Sequence, residues 1–292
     1  MAVGSDDSDA PESRWNHVFK QRLVTGLLLA GVAFAAILGL PNIAFGIFVL
    51  VTFLIGADEW ARLTGGHTPL IRLAYVAVVA VVAGLAWGLA EHGDVRLPIL
   101  IGVIWWLAAT VLLLVYSPNR PLDVIGGMRM VMRLAVLPSL VPAWLAIVWL
   151  QRYDPWLLVF LVVLAAVGDS AAYLAGKRFG RHRMAPRLSP GKTWEGLMGE
   201  MLMSLLLAIA GAWHFVADDV WLRMGFVGLC LLTVLASVVG DLFESLLKRL
   251  AGAKDSGSLL PGHGGVLDRF DSHLAVAPVF LMGWLWLRGS GL

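Results

Sequence analysis

Long apolar stretches, one after another and broken only by short polar connections, constrain this chain more than any other feature. Nine of them can be marked out, at residues 22–40, 41–57, 70–90, 97–116, 134–150, 155–175, 197–216, 221–242 and 273–287. A membrane-crossing helix needs roughly 20 mostly apolar residues, and a bilayer leaves backbone groups no partner outside the helix itself. A water-soluble alternative fails on composition. Hydrophobic residues make up 59% of the chain and charged ones 14%, against about half and a quarter in soluble domains. Most charges also lie between the apolar stretches rather than along one face of them, which argues against helices lying on a surface. The expectation is an all-α, polytopic membrane bundle of about nine transmembrane helices. The 13 Trp and 32 Gly suit it, since Trp favours the interfaces and Gly permits close helix packing. The second and fifth spans are the weakest, being short, and Pro138 and Pro142 interrupt the fifth.

The organisation read from this pattern has three parts. Residues 1–21, with Asp6, Asp7, Asp9 and Glu12 among small polar residues, are expected to be a disordered cytoplasmic tail. Residues 22–150 carry the N-terminal transmembrane helices, and 151–292 form a C-terminal transmembrane catalytic region with cytoplasmic loops at 176–196 and 248–272. With the N-terminus inside, 18 of the 22 Lys and Arg fall on the cytoplasmic side, and only Arg96, Arg152, Arg223 and Arg288 fall outside. That asymmetry follows the positive-inside rule and orients a multi-pass membrane protein with its chemistry facing the cytoplasm; a bacterial inner membrane is the expected location. The first apolar stretch follows a segment too long and too acidic for a signal peptide, so none is expected. The single Cys230 lies in an apolar run with no partner for a disulfide or metal site. A net charge of +2 is too small to argue for a nucleic-acid partner. No inverted repeat of the kind common in transporters is visible.

Chemistry concentrates in 245–271, SLLKRLAGAKDSGSLLPGHGGVLDRFD. The run from Pro261 to Gly265 cannot be regular helix, and its glycines let backbone N–H groups approach an anion. Asp268 and Asp271 are three residues apart and share a helix face. Two carboxylates at the cytoplasmic boundary can hold a divalent ion, and Mg2+ prefers one or two carboxylates together with substrate phosphates. Just upstream, Asp241 is the deepest acid of the eighth span, whereas Glu244 and Lys248 read as an ordinary i,i+4 pair.

A second stretch begins with Asp169 in an otherwise apolar run, four residues before Tyr173. An acid there must point into the bundle or a wet cavity. Ser189, Lys192 and Thr193 follow in a Ser-Pro-Gly-Lys-Thr-Trp-Glu-Gly run before a helix expected near Gly196, an arrangement suited to an anion. It is not a nucleotide-binding P-loop, because Pro186 stands where the first glycine is required. Arg181 and Arg183 read as positive-inside anchors, and Asp58, Glu59 and Glu200 as weaker candidates. The histidines show no metal-ligand spacing.

The order Ser245, Lys248-Arg249, Lys254-Asp255, His263-Gly264-Gly265, Asp268-Arg269-x-Asp271 resembles the signature of the phosphatidate cytidylyltransferases, or CDP-diglyceride synthetases. The Gly-Asp-Ser stretch at 168–170 and the Ser189–Gly196 run look like features of the same family; the first 130 residues match only as apolar spans. The resemblance implies an all-helical membrane fold, a homodimer, CTP and phosphatidic acid as substrates, and a Mg2+-dependent transfer of CMP that gives CDP-diacylglycerol and pyrophosphate. It makes Asp241, Asp268 and Asp271 the acids of the metal centre. It makes Lys248, Arg249, Lys254, Asp255, His263 and Arg269 candidate catalytic residues, and Asp169, Ser189, Lys192, Thr193, Gly264 and Gly265 candidate substrate-binding residues. A transporter, an enzyme cytidylating a different lipid phosphate, and a lipid-binding scaffold are rival readings. The Asp-Gly-x-x-Ala-Arg signature of the CDP-alcohol phosphotransferases is absent.

Overall fold

A computed structural model of the chain describes residues 11–116, 128–217, 219–259 and 264–289, with side chains in the first helix described from Thr25 onward and that of residue 129 left out. In chain order the elements are α1 (Pro11–Gly39), α2 (Asn42–Leu63), α3 (Pro69–His92), α4 (Arg96–Val115), α5 (Met128–Leu134), α6 (Val136–Tyr153), α7 (Pro155–Phe179), β1 (Arg183–Ala185), β2 (Ser189–Thr193), α8 (Trp194–Phe215), α9 (Val220–Leu250), α10 (Leu267–Phe270) and α11 (His273–Leu287). Among the described residues, eight helical spans are long and apolar enough to cross a membrane, and α1 adds a shorter apolar stretch, Thr25–Gly39. All nine expected spans therefore coincide with helices, and the all-α expectation holds apart from one small antiparallel hairpin, β1–β2.

Capping chemistry sets where the helices begin. Thr68 and Asp154 cap α3 and α7 immediately before a proline, Thr193 caps α8, and Asp219 accepts from two amides at the start of α9. Each side-chain oxygen takes an N–H that a helix start leaves unpaired. The fifth span runs over Met130–Tyr153 and is interrupted at Ala135, between α5 and α6. Pro138 has no N–H for the Leu134 carbonyl, and its ring crowds that carbonyl.

The helix α6 is the centre of the bundle: 72% of its span is buried, against 22% for α3. It packs on α2, α3 and α4 and on α11, while α11 also packs on α4 and α9. Helices α7, α8 and α9 form the other flank. At the break between α1 and α2, Gln151 Nε2 donates to the carbonyls of Ile37 (3.2 Å) and Leu40 (3.0 Å). Its Oε1 accepts from Asn42 Nδ2 at 2.6 Å, and that amide also reaches Val148 O at 2.9 Å. These contacts satisfy carbonyls that a Pro41-broken helix would leave bare in a lipid environment.

Three expectations need adjustment. The disordered reading of 1–21 fails for residues 11–21, which belong to α1; Pro11 suits a first helical position, and a helix nucleated by the span behind it extends cheaply. Residues 1–10 lie outside the described residues. The loop 176–196 is mostly structured, because α7 continues to Phe179 and the hairpin follows. The eighth span does not end at Leu242: α9 continues to Leu250, 31 residues in all. At 1.5 Å per residue that is about 46 Å, well beyond a hydrocarbon core of about 30 Å.

Candidate active site

The continuation of α9 places Asp241, Glu244, Ser245 and Lys248 on one helical face, at i, i+3, i+4 and i+7. That face meets the turn between α10 and α11 at very close range. A side chain on Gly240 would come within 2.6 Å of the Asp271 carbonyl and 3.2 Å of Ser272 Cα, so only glycine permits the approach. The result is a three-carboxylate group. Asp241, Glu244 and Asp271 each offer an oxygen, and the three lie within 4.8 Å of one another. Glu244 is buried, at 2% exposure. Ser272 N donates to Asp271 Oδ1 at 2.8 Å, which fixes that side chain.

Lys248 stands between two acids. Its ammonium pairs closely with Glu244 and lies 2.8 Å from Asp268 Oδ1. The other oxygen of Asp268 accepts from Gly265 N (2.7 Å) and Ser256 N (3.0 Å), with Ser256 Oγ at 2.9 Å. Asp268 is thus engaged by protein donors on both oxygens, while Glu244 completes the group with Asp241 and Asp271. Sequence spacing pairs Asp268 with Asp271; the fold pairs Glu244 with it. The i,i+4 contact of Glu244 with Lys248 is present as well, and it left no trace in the sequence of Glu244's second set of neighbours.

The hairpin supplies the opposite wall. Its register pairs Arg183 with Thr193 and Ala185 with Ser189. Its base is closed by Glu195, which accepts from the His182 amide (3.2 Å) and lies 2.7 Å from His182 Nδ1. Arg249 Nε donates to Leu188 O at 3.4 Å and ties the hairpin tip to α9. Thr193 caps α8 through Gly196 N at 3.0 Å. Lys192 reaches across, with Nζ 2.6 Å from Asp241 Oδ2. Between these walls is a cavity of about 350 Å3, lined among others by Asp169 and Tyr173 of α7, Ser189, Lys192 and Thr193 of β2, Glu200 of α8, and Asp241 and Asp271. The two charged stretches of the sequence therefore share one site.

Other expected residues stand further out. Lys254, Asp255, Arg249 and Arg269 are exposed. Gly264 has φ +80°, a conformation glycine adopts without strain, and the Gly265 amide is directed at a protein carboxylate. His263 lies outside the described residues. Glu59 emerges as a structural hub that spacing alone does not reveal. It is 3% exposed and accepts from Val266 N (3.0 Å) and Leu267 N (2.8 Å). A signal for it was present in the sequence: it is one of two adjacent acids, Asp58 and Glu59, at the end of an apolar span.

A helical membrane bundle whose cavity sets carboxylates beside a lysine defines a class of membrane protein with a site suited to phosphorylated ligands. Comparison with known proteins narrows the class. The model of the cytidylyltransferase family matches residues 20–286. A protein of Pseudomonas aeruginosa named phosphatidate cytidylyltransferase is 39% identical over 278 residues, covering 94% of this chain and 99% of the relative. A Haemophilus influenzae protein of the same name is 32% identical over 285 residues, 90% of this chain and 97% of that one. One from Bacillus subtilis is 42% identical over 132 residues, 44% of this chain and 47% of the relative. The chain belongs to the cytidylyltransferase family.

Proposed function

We propose that this chain is a CTP:phosphatidate cytidylyltransferase that transfers CMP from CTP to phosphatidate, releasing pyrophosphate and leaving CDP-diacylglycerol in the membrane. The observation that carries the reading is the cavity that sets Lys192 beside Asp241 and Asp271, with Glu244 and its partner Lys248 packed directly behind those two acids. A phosphate oxygen of the lipid attacks the α-phosphorus of CTP, and the bond to the β-phosphate's bridging oxygen breaks. Nucleophile and leaving group are both anionic, so cations must accompany them. Lys192 is placed to take charge from the triphosphate, since it lines the cavity and its ammonium lies 2.6 Å from Asp241 at that wall. No covalent enzyme intermediate is needed, because the lipid phosphate is itself the nucleophile.

The donor set suits a divalent cation. Three carboxylates with oxygens within 4.8 Å of one another offer the hard oxygen ligands that Mg2+ takes. Asp241, Glu244 and Asp271 would hold it, and Asp268 would keep Lys248 in place beside them. Mg2+ bound there would polarise phosphate oxygens and neutralise charge during the displacement.

The direct test incubates the purified chain with labelled CTP, Mg2+ and phosphatidate. Label is expected in a chloroform-soluble product, with pyrophosphate released in equal amount. CTP left intact at every Mg2+ concentration would sink the reading. The likeness to bacterial relatives and the distribution of Lys and Arg support a multi-pass protein of the bacterial inner membrane with its N-terminus and site in the cytoplasm and its C-terminus outside. A fluorescent reporter fused after Leu292 should therefore stay dark while an alkaline phosphatase fusion there is active; the reverse pattern would refute this orientation. The family resemblance also favours a homodimer, which light scattering of the detergent-solubilised chain reads as twice the 31.5 kDa of one chain.

A further inference from the structure

The loop that follows α9 is gripped by a residue from the far end of the sequence. Glu59 lies near the end of α2, 197 positions before Ser256. Its Oε1 accepts from Val266 N at 3.0 Å and its Oε2 from Leu267 N at 2.8 Å. Those are the cap and first residue of α10, so the carboxylate takes amides that a helix start leaves unpaired. Ser256 Oγ lies 3.2 Å from Glu59 Oε2 and 2.9 Å from Asp268 Oδ2; its one proton serves one carboxylate at a time. The grip has no slack. A Cβ on Gly265 would lie 2.6 Å from both Glu59 carboxylate oxygens, and one on Gly257 would lie 3.0 Å from Glu59 Cδ.

From there contacts continue without a gap. Ser256 holds Asp268, Asp268 holds Lys248, and Lys248 pairs with Glu244 of the three-carboxylate group. Glu59 itself does not line the cavity, so it touches no substrate there. Its described hydrogen bonds all come from neutral donors. A buried carboxylate spent on backbone amides is a device for fixing a loop's position.

We propose that Glu59 is a positioning residue for the reaction: it sets Ser256 and the 264–268 turn so that Asp268 presents Lys248 to Glu244 and the three carboxylates stay converged. The proposal rests on the cytidylyl-transfer reading for its kinetic consequence and on geometry alone for its structural one. Groups that orient metal-holding residues from behind typically matter about 10–100-fold in metal affinity or activity.

The test is Glu59→Gln in the full-length chain, purified in detergent. Glutamine matches the shape but turns an NH2 toward one of two N–H donors, which breaks one of the two amide contacts. Three experiments are read: Mn2+ binding by electron paramagnetic resonance, tryptic cleavage at the exposed Lys254, and steady-state kinetics giving kcat and KM for CTP. Glu59→Gln is expected to weaken Mn2+ binding by about 10-fold or more, speed cleavage at Lys254, and lower kcat with KM for CTP changed less than about threefold. Unchanged Mn2+ affinity and kcat would overturn the proposal. So would losses of all three that merely track a fall in thermal stability. If Glu59→Gln does not fold, Ser256→Ala serves, since it leaves both amide contacts of Glu59 in place and removes the hydroxyl link to Asp268. It should shift Mn2+ affinity and Lys254 cleavage in the same direction, and no shift in either would overturn the proposal. A chain that binds Mn2+ and responds to Glu59→Gln, yet leaves CTP intact with phosphatidate, would refute the proposed reaction while the positioning role stands.

Discussion

Replacing Asp271 with asparagine should abolish most turnover while the protein still inserts and folds. The oxygen that accepts from Ser272 N at 2.8 Å has a counterpart in asparagine, so the local hydrogen bond survives. What is lost is one negative charge from the group formed with Asp241 and Glu244. A site that must balance a triphosphate and a lipid phosphate around a divalent cation cannot spare it. The expected loss in kcat is at least about 10^3-fold, about 4 kcal/mol of transition-state stabilisation, with a matching rise in the Mg2+ concentration needed for half-maximal rate. Asp268→Asn provides the contrast. Its oxygens engage Lys248, Ser256 and Gly265, so it should lower thermal stability, because truncating one partner of a partly buried pair leaves the other uncompensated. Near-normal activity of Asp271→Asn at limiting Mg2+ would remove Asp271 from the metal site. A Mg2+ requirement that shifts for Asp268→Asn and not for Asp271→Asn would exchange their roles.

Lys192→Ala should lower kcat/KM by roughly 2–4 kcal/mol, comparable to losing a preorganised donor to a developing charge. Two roles for this residue are compatible with its place 2.6 Å from Asp241. As a counter-ion it would only quiet a carboxylate, and its loss would change the Mg2+ dependence more than the rate. As a phosphate ligand it strengthens its hold as charge moves onto the leaving pyrophosphate, and the loss appears in kcat/KM for CTP. Its place on the cavity wall beside Ser189 and Thr193 favours the second. Lys192→Arg should rescue only in part, because a forked guanidinium does not replace a compact ammonium. Wild-type kcat/KM in both Lys192→Ala and Ser189→Ala would show that the hairpin takes no part in the reaction.

The spans were legible because crossing a bilayer is a local demand: each needs its own run of apolar residues, and no partner elsewhere changes that count. The charged stretches at 168–195 and 241–271 were legible for the converse reason, since ionisable groups beside apolar spans are costly without a use. Partner choice was not. Asp268 and Glu244 are both one helical turn from another acid of the group, and spacing cannot say which of them joins it. The closeness of α9 to the α10–α11 turn decides, and that depends on the missing side chain at Gly240. The role of Glu59 was hidden by distance along the chain, its three donors lying about 200 residues away. The hairpin was hidden by composition: 183–193 contains two prolines and a glycine and no apolar alternation, so nothing in its periodicity marks a strand.

The length of α9 also fixes a depth. From Val220 to Asp241 is 22 residues of continuous helix, about 32 Å of rise, close to the thickness of a bilayer's hydrocarbon layer. A helix of that length entering the hydrocarbon at Val220 brings Asp241 to the opposite boundary, where glycerol meets water, and Lys248 about 10 Å beyond it. A phosphatidate molecule already carries its phosphate at that level. An acceptor met at that level keeps both tails dissolved in oil, and only the nucleotide has to travel. The protein is spared the cost of hauling a lipid into water, and its acids wait at the shoreline.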